Sequence, residues 1–289
     1  MPELPEVETV RRGLQKLIVG RQIMSVECRC EKSLPVAPGG VRNIITGATI
    51  TGVRRRAKML IIDLSGGYSL LVHLKMTGQM VFRGETSWGA GHPNDSLVGE
   101  LPNKQTRVIF HLSGNNTLYF NDQRKFGWVK LFLTHEIPEL EMIKKLGPEP
   151  LEGDPWPEFQ RRIRRHPRTN VKAAILMQTT IAGVGNIYAD ESLWLAGIHP
   201  ETKVEHLTDD DLHNLLSAIQ TSMTNSLKAG GSTARNYVKA DGTKGDYLDK
   251  FAAVYNRVGQ PCQRCGNEIT KIRVAGRGTS YCPYCQMIK

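Results

Sequence analysis

Apolar residues at the start of the chain recur at helical spacing. Val7, Val10, Leu14, Leu17 and Ile18 follow one another every three to four residues or sit side by side, and Gly20 stands where a helix would stop. The pattern predicts a helix over Glu6 to Ile18. From there to about Leu133 the apolar residues fall instead into short strand-like runs: Ile23 to Val26, Met59 to Leu64, Leu70 to Leu74, Arg107 to Leu112 and Val129 to Leu133. Turn signals such as Gly66-Gly67 and Gly114-Asn115-Asn116 divide them. The stretch Arg83 to Gln105, with four glycines and two prolines, reads as a mobile surface loop. A proline-rich stretch from Ile137 to Pro157 reads as a linker, and helical spacing dominates from there to about Lys228. The domains expected are residues 1–134, β-rich; 135–157, linker; 158–255, helical; and 256–289, a small C-terminal module.

Composition narrows the class. In 289 residues, 40% apolar, there is no apolar run of membrane length, so a soluble globular protein is expected. Lys and Arg outnumber Asp and Glu by 38 to 28, a net charge of +10 that suits a nucleic-acid partner. Arg161, Arg162, Arg164, Arg165 and Arg168 gather around His166, and a solvated basic helix face is the competing reading of that run.

Two features carry sharper chemistry. Cys262-x2-Cys265 is followed after sixteen residues by Cys282-x2-Cys285, the spacing of a four-thiolate zinc ribbon whose intervening segment forms a hairpin. Ile269, Ile272 and Val274 are expected to pair across a turn at Gly276-Arg277-Gly278. Two disulfides or a redox pair are the alternatives, disfavoured because the acidic start carries no secretory signal and a reducing compartment is expected. Cys28 and Cys30 read as ordinary thiols on a strand. The second feature is Pro2. Removal of Met1 would leave a secondary amine with an ordinary pKa of about 8, partly neutral at pH 7 and able to attack carbon. Glu3 and Glu6 would supply carboxylates for proton transfer beside it. The competing reading is that Pro2 and Pro5 only stiffen the entry to a helix. A third and weaker signal, Gly183-Val184-Gly185-Asn186, is a glycine turn feeding a helix, where backbone N–H groups and Asn186 could grip a phosphate.

The ordered motifs Pro2-Glu3-Leu4-Pro5-Glu6, Arg56-Ala57-Lys58, His73-Leu74-Lys75-Met76-Thr77-Gly78 and Asp122-Gln123-Arg124-Lys125-Phe126-Gly127 resemble those of the bacterial formamidopyrimidine-DNA glycosylases. The likeness continues through Leu146-Gly147-Pro148-Glu149-Pro150, Gly183 to Tyr188, Gly230-Gly231-Ser232-Thr233 and the cysteine module, covering essentially the whole chain. Leu4 sets it on the purine branch, since the pyrimidine-directed relatives usually begin Pro-Glu-Gly-Pro.

The resemblance implies an α+β multidomain fold: an N-terminal β-sandwich with a leading helix, then a C-terminal helix-two-turn-helix bundle with a β-hairpin zinc ribbon holding one structural Zn2+. It implies a monomeric cytoplasmic enzyme, nucleoid-associated on DNA. The partner is damaged double-stranded DNA, and no membrane is involved. By resemblance, Pro2 is the nucleophile and Glu3 its acid/base partner, with Lys58 and Arg277 completing the catalytic set. Met76, Arg124 and Phe126 fill the void left by an extruded nucleotide. Glu6, His73, Lys125, Lys172, Asn186, Tyr255 and Lys271 hold the DNA, and Ser232, Thr233, Arg235, Asn236 and Tyr237 belong to a loop that closes over the base. Cys262, Cys265, Cys282 and Cys285 ligate the metal. Two other activities compete: a lyase preferring oxidised pyrimidines, and a damage-binding protein without chemistry if Pro2 is blocked. Three positions depart from the family pattern: Gln105 where histidine is frequent, Lys125 where arginine is frequent, and Asn256 where glycine is common.

Overall fold

In a computed structural model of the chain, which describes residues 1–35, 40–92, 94–231 and 251–289, the first apolar run forms α1 (Leu4–Ile18). Val7, Val10, Leu14 and Ile18 line one face of it and are fully buried, each burial contributing about 1.5–3 kcal/mol. The chain then runs through β1 (Ile23–Cys28), α2 (Val41–Ile45), β2 (Ile50–Arg56), β3 (Met59–Leu64), β4 (Tyr68–His73), β5 (Gly78–Arg83), β6 (Ser87–Gly91), β7 (Thr106–Leu112), β8 (Asn116–Asp122) and β9 (Trp128–Leu133). These strands make two antiparallel sheets, in the orders β1-β7-β8-β5-β6 and β2-β3-β4-β9. Alternate residues face inward from both: Leu60, Ile62 and Leu64 from one, Val108, Phe110, Leu112, Leu118 and Phe120 from the other. They join the apolar face of α1 in a single core, the arrangement of a β-sandwich.

The segment read as a mobile loop is largely built structure. β6 pairs with β5, and a short 3-10 turn (Asp95–Leu97) lays Leu97 on Val81, Ile109 and Tyr119, covering the outer face of the five-stranded sheet. Its glycines mark close approach. A Cβ at Gly91 would overlap the Gly78 carbonyl, and one at Gly89 would come within 3.1 Å of the Leu97 carbonyl. β6 also reaches α1, because the indole of Trp88 fills the space where a side chain on Gly13 would lie. On its other side α1 is bolted to β2. Glu8 pairs with Arg55 at 3.3 Å, and Gln15 accepts the Val53 N–H at 2.9 Å. Burial raises the Glu8 carboxyl, but hydrogen bonds from Arg11 and Arg12 hold it below the usual carboxylate range.

The chain divides into two compact units, with a break between Lys144 and Lys145. α3 (Glu141–Lys144) precedes that break, and the first unit also takes in Gly230 and Gly231. The second holds α4 (Trp156–Ile163), α5 (Val171–Leu176), α6 (Asn186–Ala196), α7 (Asp209–Lys228), and the hairpin β10 (Thr270–Val274) and β11 (Arg277–Tyr281). The stretch read as a linker is partly folded: Gly147 donates to the Gln178 carbonyl at 2.8 Å, and Ala182 donates to that of Pro148 at 3.0 Å. The hairpin turn is also shorter than expected. Ala275 and Gly276, at φ 49° and 74°, form a two-residue turn of the kind with two positive φ values, so Arg277 and Gly278 belong to β11.

Candidate active site

At the N-terminus, Pro2 is buried behind an exposed Met1. Glu3 and Glu6 are also buried, and Glu6 Oε2 accepts the Glu3 N–H at 2.8 Å, so one carboxylate fixes the backbone that follows the proline. Gly231 lies beside Glu6: a Cβ there would stand 3.7 Å from its Cγ. Burial, and then the amino-terminal charge, lower the His92 imidazole below its ordinary value against the opposing pull of Asp122.

Lys58 follows Ala57, whose φ of 52° makes the sharp β2–β3 turn, and its side chain is buried. Met59 pairs with His73 across the sheet. Burial, then the charges of Lys75 and Lys58, push His73 down to about 3. Its Nδ1 accepts the Lys75 N–H at 3.0 Å, which leaves the proton on Nε2 of a neutral ring, a fixed donor.

Met76, Arg124, Lys125 and Phe126 are all exposed. They project from two turns, Leu74–Gly78 and Asp122–Gly127, whose left-handed residues are Lys75 (φ 51°) and Lys125 (φ 57°). The Arg124 guanidinium lies over the Phe126 ring, 4.9 Å from its centre. Exposed methionine and phenylalanine beside a cation form a wedge suited to stacked bases.

In the second unit, Gln178 shapes the glycine turn before α6. Its side chain accepts the Gly183 N–H at 3.0 Å and donates to the Val184 carbonyl at 2.8 Å. Along α6, Asn186, Asp190 and Trp194 lie four residues apart and share one face. Each touches the hairpin module: Asn186 Nδ2 donates to the Gly278 carbonyl at 3.0 Å, Asp190 accepts the Ser280 N–H at 3.0 Å, and the Trp194 indole donates to Cys262 Sγ at 3.4 Å. Glu191 accepts three backbone N–H bonds, from Ala253, Val254 and Tyr255. Burial raises its carboxyl, and those three bonds oppose the rise. Arg277 and Lys271 are exposed on the hairpin.

Lys172 departs from its expected place. Expected at the DNA, it is fully buried, with Nζ 2.6 Å from Asp190 Oδ1 and bonded to Thr279 Oγ1 at 2.7 Å. Its ammonium is sealed inside a carboxylate and hydroxyl cage that ties α5 and α6 to the hairpin. Burial pushes Asp190 up to about 6 against the pull of Lys172 and of the Ser280 N–H. The arginine run is likewise spent largely within the protein. Arg161 and Arg162 pair with Glu158, Arg164 pairs with Asp209 at 2.7 Å, and Arg162 also caps the Thr179 carbonyl at 2.7 Å.

The four ribbon sulfurs lie within 4.8 Å of one another, with Cys262–Cys285 at 3.9 Å and Cys265–Cys282 at 3.5 Å. A tetrahedron with Zn–S bonds of about 2.3 Å has edges of about 3.8 Å, so the donor set fits zinc. Burial and the neighbouring sulfurs push Cys285 up to about 12, whereas backbone N–H groups and the Trp194 indole outweigh burial and hold Cys262 at about 6. A divalent cation removes that conflict by drawing all four to thiolates. Two disulfides do not describe the site, since all six cysteines are free.

Ser232, Thr233, Arg235, Asn236 and Tyr237 lie outside the described residues. Asn256, at φ 59°, takes the left-handed conformation that glycine would, which asparagine tolerates. Sequence reading did not single out Thr77, His92, Gln178, Asp190 or Glu191. Asp190 and Glu191 were the legible ones, as adjacent acids in a helix otherwise destined for burial.

Three family models match in order: the formamidopyrimidine-DNA glycosylase N-terminal domain over residues 1–129, its H2TH domain over 146–238, and the zinc finger found in FPG and IleRS over 259–287. The formamidopyrimidine-DNA glycosylase of Pelotomaculum thermopropionicum is 41% identical, and that of Pediococcus pentosaceus 40%, each over 100% of both chains. Among solved structures, the Lactococcus lactis enzyme in complex with abasic-site DNA is 36% identical, with a TM-score of 0.85 over 99% of each chain. A proline-substituted mutant of that enzyme with a Fapy-dG DNA gives 0.86 over 99% of this chain and 100% of its own. The chain belongs to the formamidopyrimidine-DNA glycosylase family.

Proposed function

We propose that this protein is a bifunctional DNA glycosylase and abasic-site lyase of base excision repair, acting on oxidised purines such as 8-oxoguanine and formamidopyrimidines in duplex DNA. It works in the cytoplasm, on the nucleoid, as a monomer. The observation that carries the reading is the pairing, in one compact unit, of an exposed Met76, Arg124 and Phe126 with a buried Pro2 flanked in sequence by Glu3 and Glu6. A base inside a duplex must be extruded before its sugar is reached, which costs a few kcal/mol, and a wedge that fills the gap offsets it.

After loss of Met1, the Pro2 nitrogen attacks C1′ of the deoxyribose. The N–C1′ bond forms as the glycosidic bond breaks, and its electron pair leaves with the base. Glu3 moves the proton that opens the sugar ring at O4′. The resulting Schiff base acidifies the neighbouring C–H, and successive β and δ eliminations expel the 3′ and 5′ phosphates. Lys58, neutral His73, Asn186, Tyr255, Lys271 and Arg277 hold the strand around the extruded nucleotide. Cys262, Cys265, Cys282 and Cys285 would hold one zinc, which supplies structure and no chemistry.

Borohydride reduction on lesion DNA tests this. Demethionylated protein should be trapped covalently, with the adduct mapping to Pro2. An adduct on Lys58, or none, removes the proposed nucleophile. The Lactococcus lactis enzyme has also been solved with an oxidised pyrimidine in its DNA, which favours a second, wider lesion range. Cleavage of matched duplexes carrying either lesion class separates the two.

A further inference from the structure

The two turns that carry the wedge are far apart in sequence, yet one side chain joins them. Asp122 closes β8 and is 1% exposed. Its carboxylate accepts the Thr77 hydroxyl from the first turn, the Gly127 N–H at 2.6 Å and the Arg124 N–H at 3.2 Å from the second. Thr77 Oγ1 in turn accepts the Arg124 N–H at 3.0 Å. Beneath them the strands are in register, with Gly78 opposite Asp122. The backbone is shaped to permit this. A Cβ at Gly127 would stand 2.8 Å from Phe120 Cζ and 3.1 Å from both Asp122 Oδ2 and the His73 carbonyl, and one at Gly78 would overlap the Leu74 carbonyl. Arg107, the cation packed behind, donates to the Asp122 backbone carbonyl at 2.7 Å and not to the carboxylate. The carboxylate oxygens are thus committed to the two turns that present Met76, Arg124 and Phe126 to solvent.

We propose that Asp122, acting with Thr77, is a positioning residue that makes Met76, Arg124 and Phe126 a single rigid wedge, so that base extrusion depends on a carboxylate that never touches DNA. The inference rests on the wedge reading of those three side chains. A ring and a guanidinium entering a base stack must arrive together and at fixed depth. Two turns free to move independently would lose that registry, and small misplacements are costly in such steps.

The test uses full-length protein with two conservative variants. Asp122→Asn keeps volume but turns a donor toward the turn amides, and Thr77→Val keeps shape but deletes the bridging hydroxyl. Single-turnover excision of 8-oxoguanine should fall about tenfold or more in each. Borohydride trapping on a pre-formed abasic site in a single strand, where nothing has to be extruded, should fall no more than about threefold. Combining Thr77→Val with Phe126→Ala should cost little beyond the worse single variant, since residues acting as a unit are non-additive. Unchanged excision in Thr77→Val, fully additive losses, or equal losses on both substrates would overturn the proposal. If Phe126→Ala and Arg124→Ala themselves leave excision intact, the wedge reading fails, an outcome distinct from failure of the pin alone.

Discussion

Lys172 and Asp190 form an ion pair at 2.6 Å, with side-chain exposures of 0% and 1%, joining α5 to α6 directly beneath the strand that carries Arg277. Removing one partner strands a buried charge, so Asp190→Asn should destabilise the second unit by about 3–5 kcal/mol. Replacing both with apolar residues of similar volume, as in Lys172→Met with Asp190→Leu, should recover most of that loss. The double variant should still bind DNA weakly, because Ser280 and Thr279 lose their anchors. Denaturant unfolding and DNA titration of the three proteins check it.

In the proposed wedge, Arg124 would offer only donors to the base facing the lesion. Cytosine presents acceptors at O2 and N3, whereas the exposed edge of adenine includes an amino donor. Excision of 8-oxoguanine should therefore be favoured opposite cytosine by about tenfold or more, since a good polar pair discriminates by about 1–3 kcal/mol. Arg124→Ala should compress the ratio and spare trapping on a pre-formed abasic site. Equal rates opposite both bases in the unmodified protein would remove this role.

Metal removal should be visible from α6. The Trp194 indole bonds to Cys262 Sγ, and the Arg264 guanidinium lies 4.4 Å from the Trp194 ring centre. Chelation should release that stack, shift tryptophan emission and abolish DNA binding, while the strand signal of the β-sandwich persists. Metal analysis should give near one zinc per chain.

Helix α1 can approach β6 only because residue 13 lacks a side chain. Gly13→Ala should lower stability by about 1–3 kcal/mol through overpacking against Trp88 and slow Schiff-base trapping by displacing the helix that begins just after the proposed nucleophile Pro2. Trp88→Leu should rescue both losses when combined with it. A lowered melting temperature with normal trapping would show that the helix moves without disturbing Pro2.

His73 is neutral in the folded chain far below its ordinary value, because burial and the charges of Lys75 and Lys58 oppose its protonation. A depressed folded value means that its contribution is fully present above about pH 6.5 and is lost as pH falls through the window toward about 3. His73→Gln should flatten that part of the stability profile, and DNA affinity should show no step from His73 between about pH 6 and 8. Unfolding midpoints at a series of pH values, compared between the two proteins, decide it.

Strong periodicity made much of this legible in advance. The predicted β3 matches its observed bounds, and α1 extends the expected helix by only two residues. Two of the elements that the expected runs do not include have local chemistry that contradicts their state. β2 ends in Arg54, Arg55 and Arg56, a polar edge in which Arg54 pairs with Asp63 and Arg55 with Glu8. β6 hides behind glycines that serve close packing and not loop freedom. At the site, the cysteine spacing announced the ribbon because one ion dictates four ligands. Lys172 misled because a lysine in a DNA-binding motif looks the same in sequence whether its ammonium meets a phosphate or a buried aspartate. Asp122 and Thr77 stand in the quoted motifs, but their joint role is not readable there, since it lies in a hydrogen bond between residues distant along the chain.

The position of β6 at the rim of its sheet has an engineering consequence. β5 pairs with β8 on one side and β6 on the other, so the hairpin tip at Glu85 and Thr86, both exposed, hangs outside the pair that sets the wedge. A fluorophore or an inserted peptide at that tip lengthens a free border and leaves the Gly78–Asp122 register alone. The molecule thus carries a built-in handle for labelling that leaves the wedge untouched.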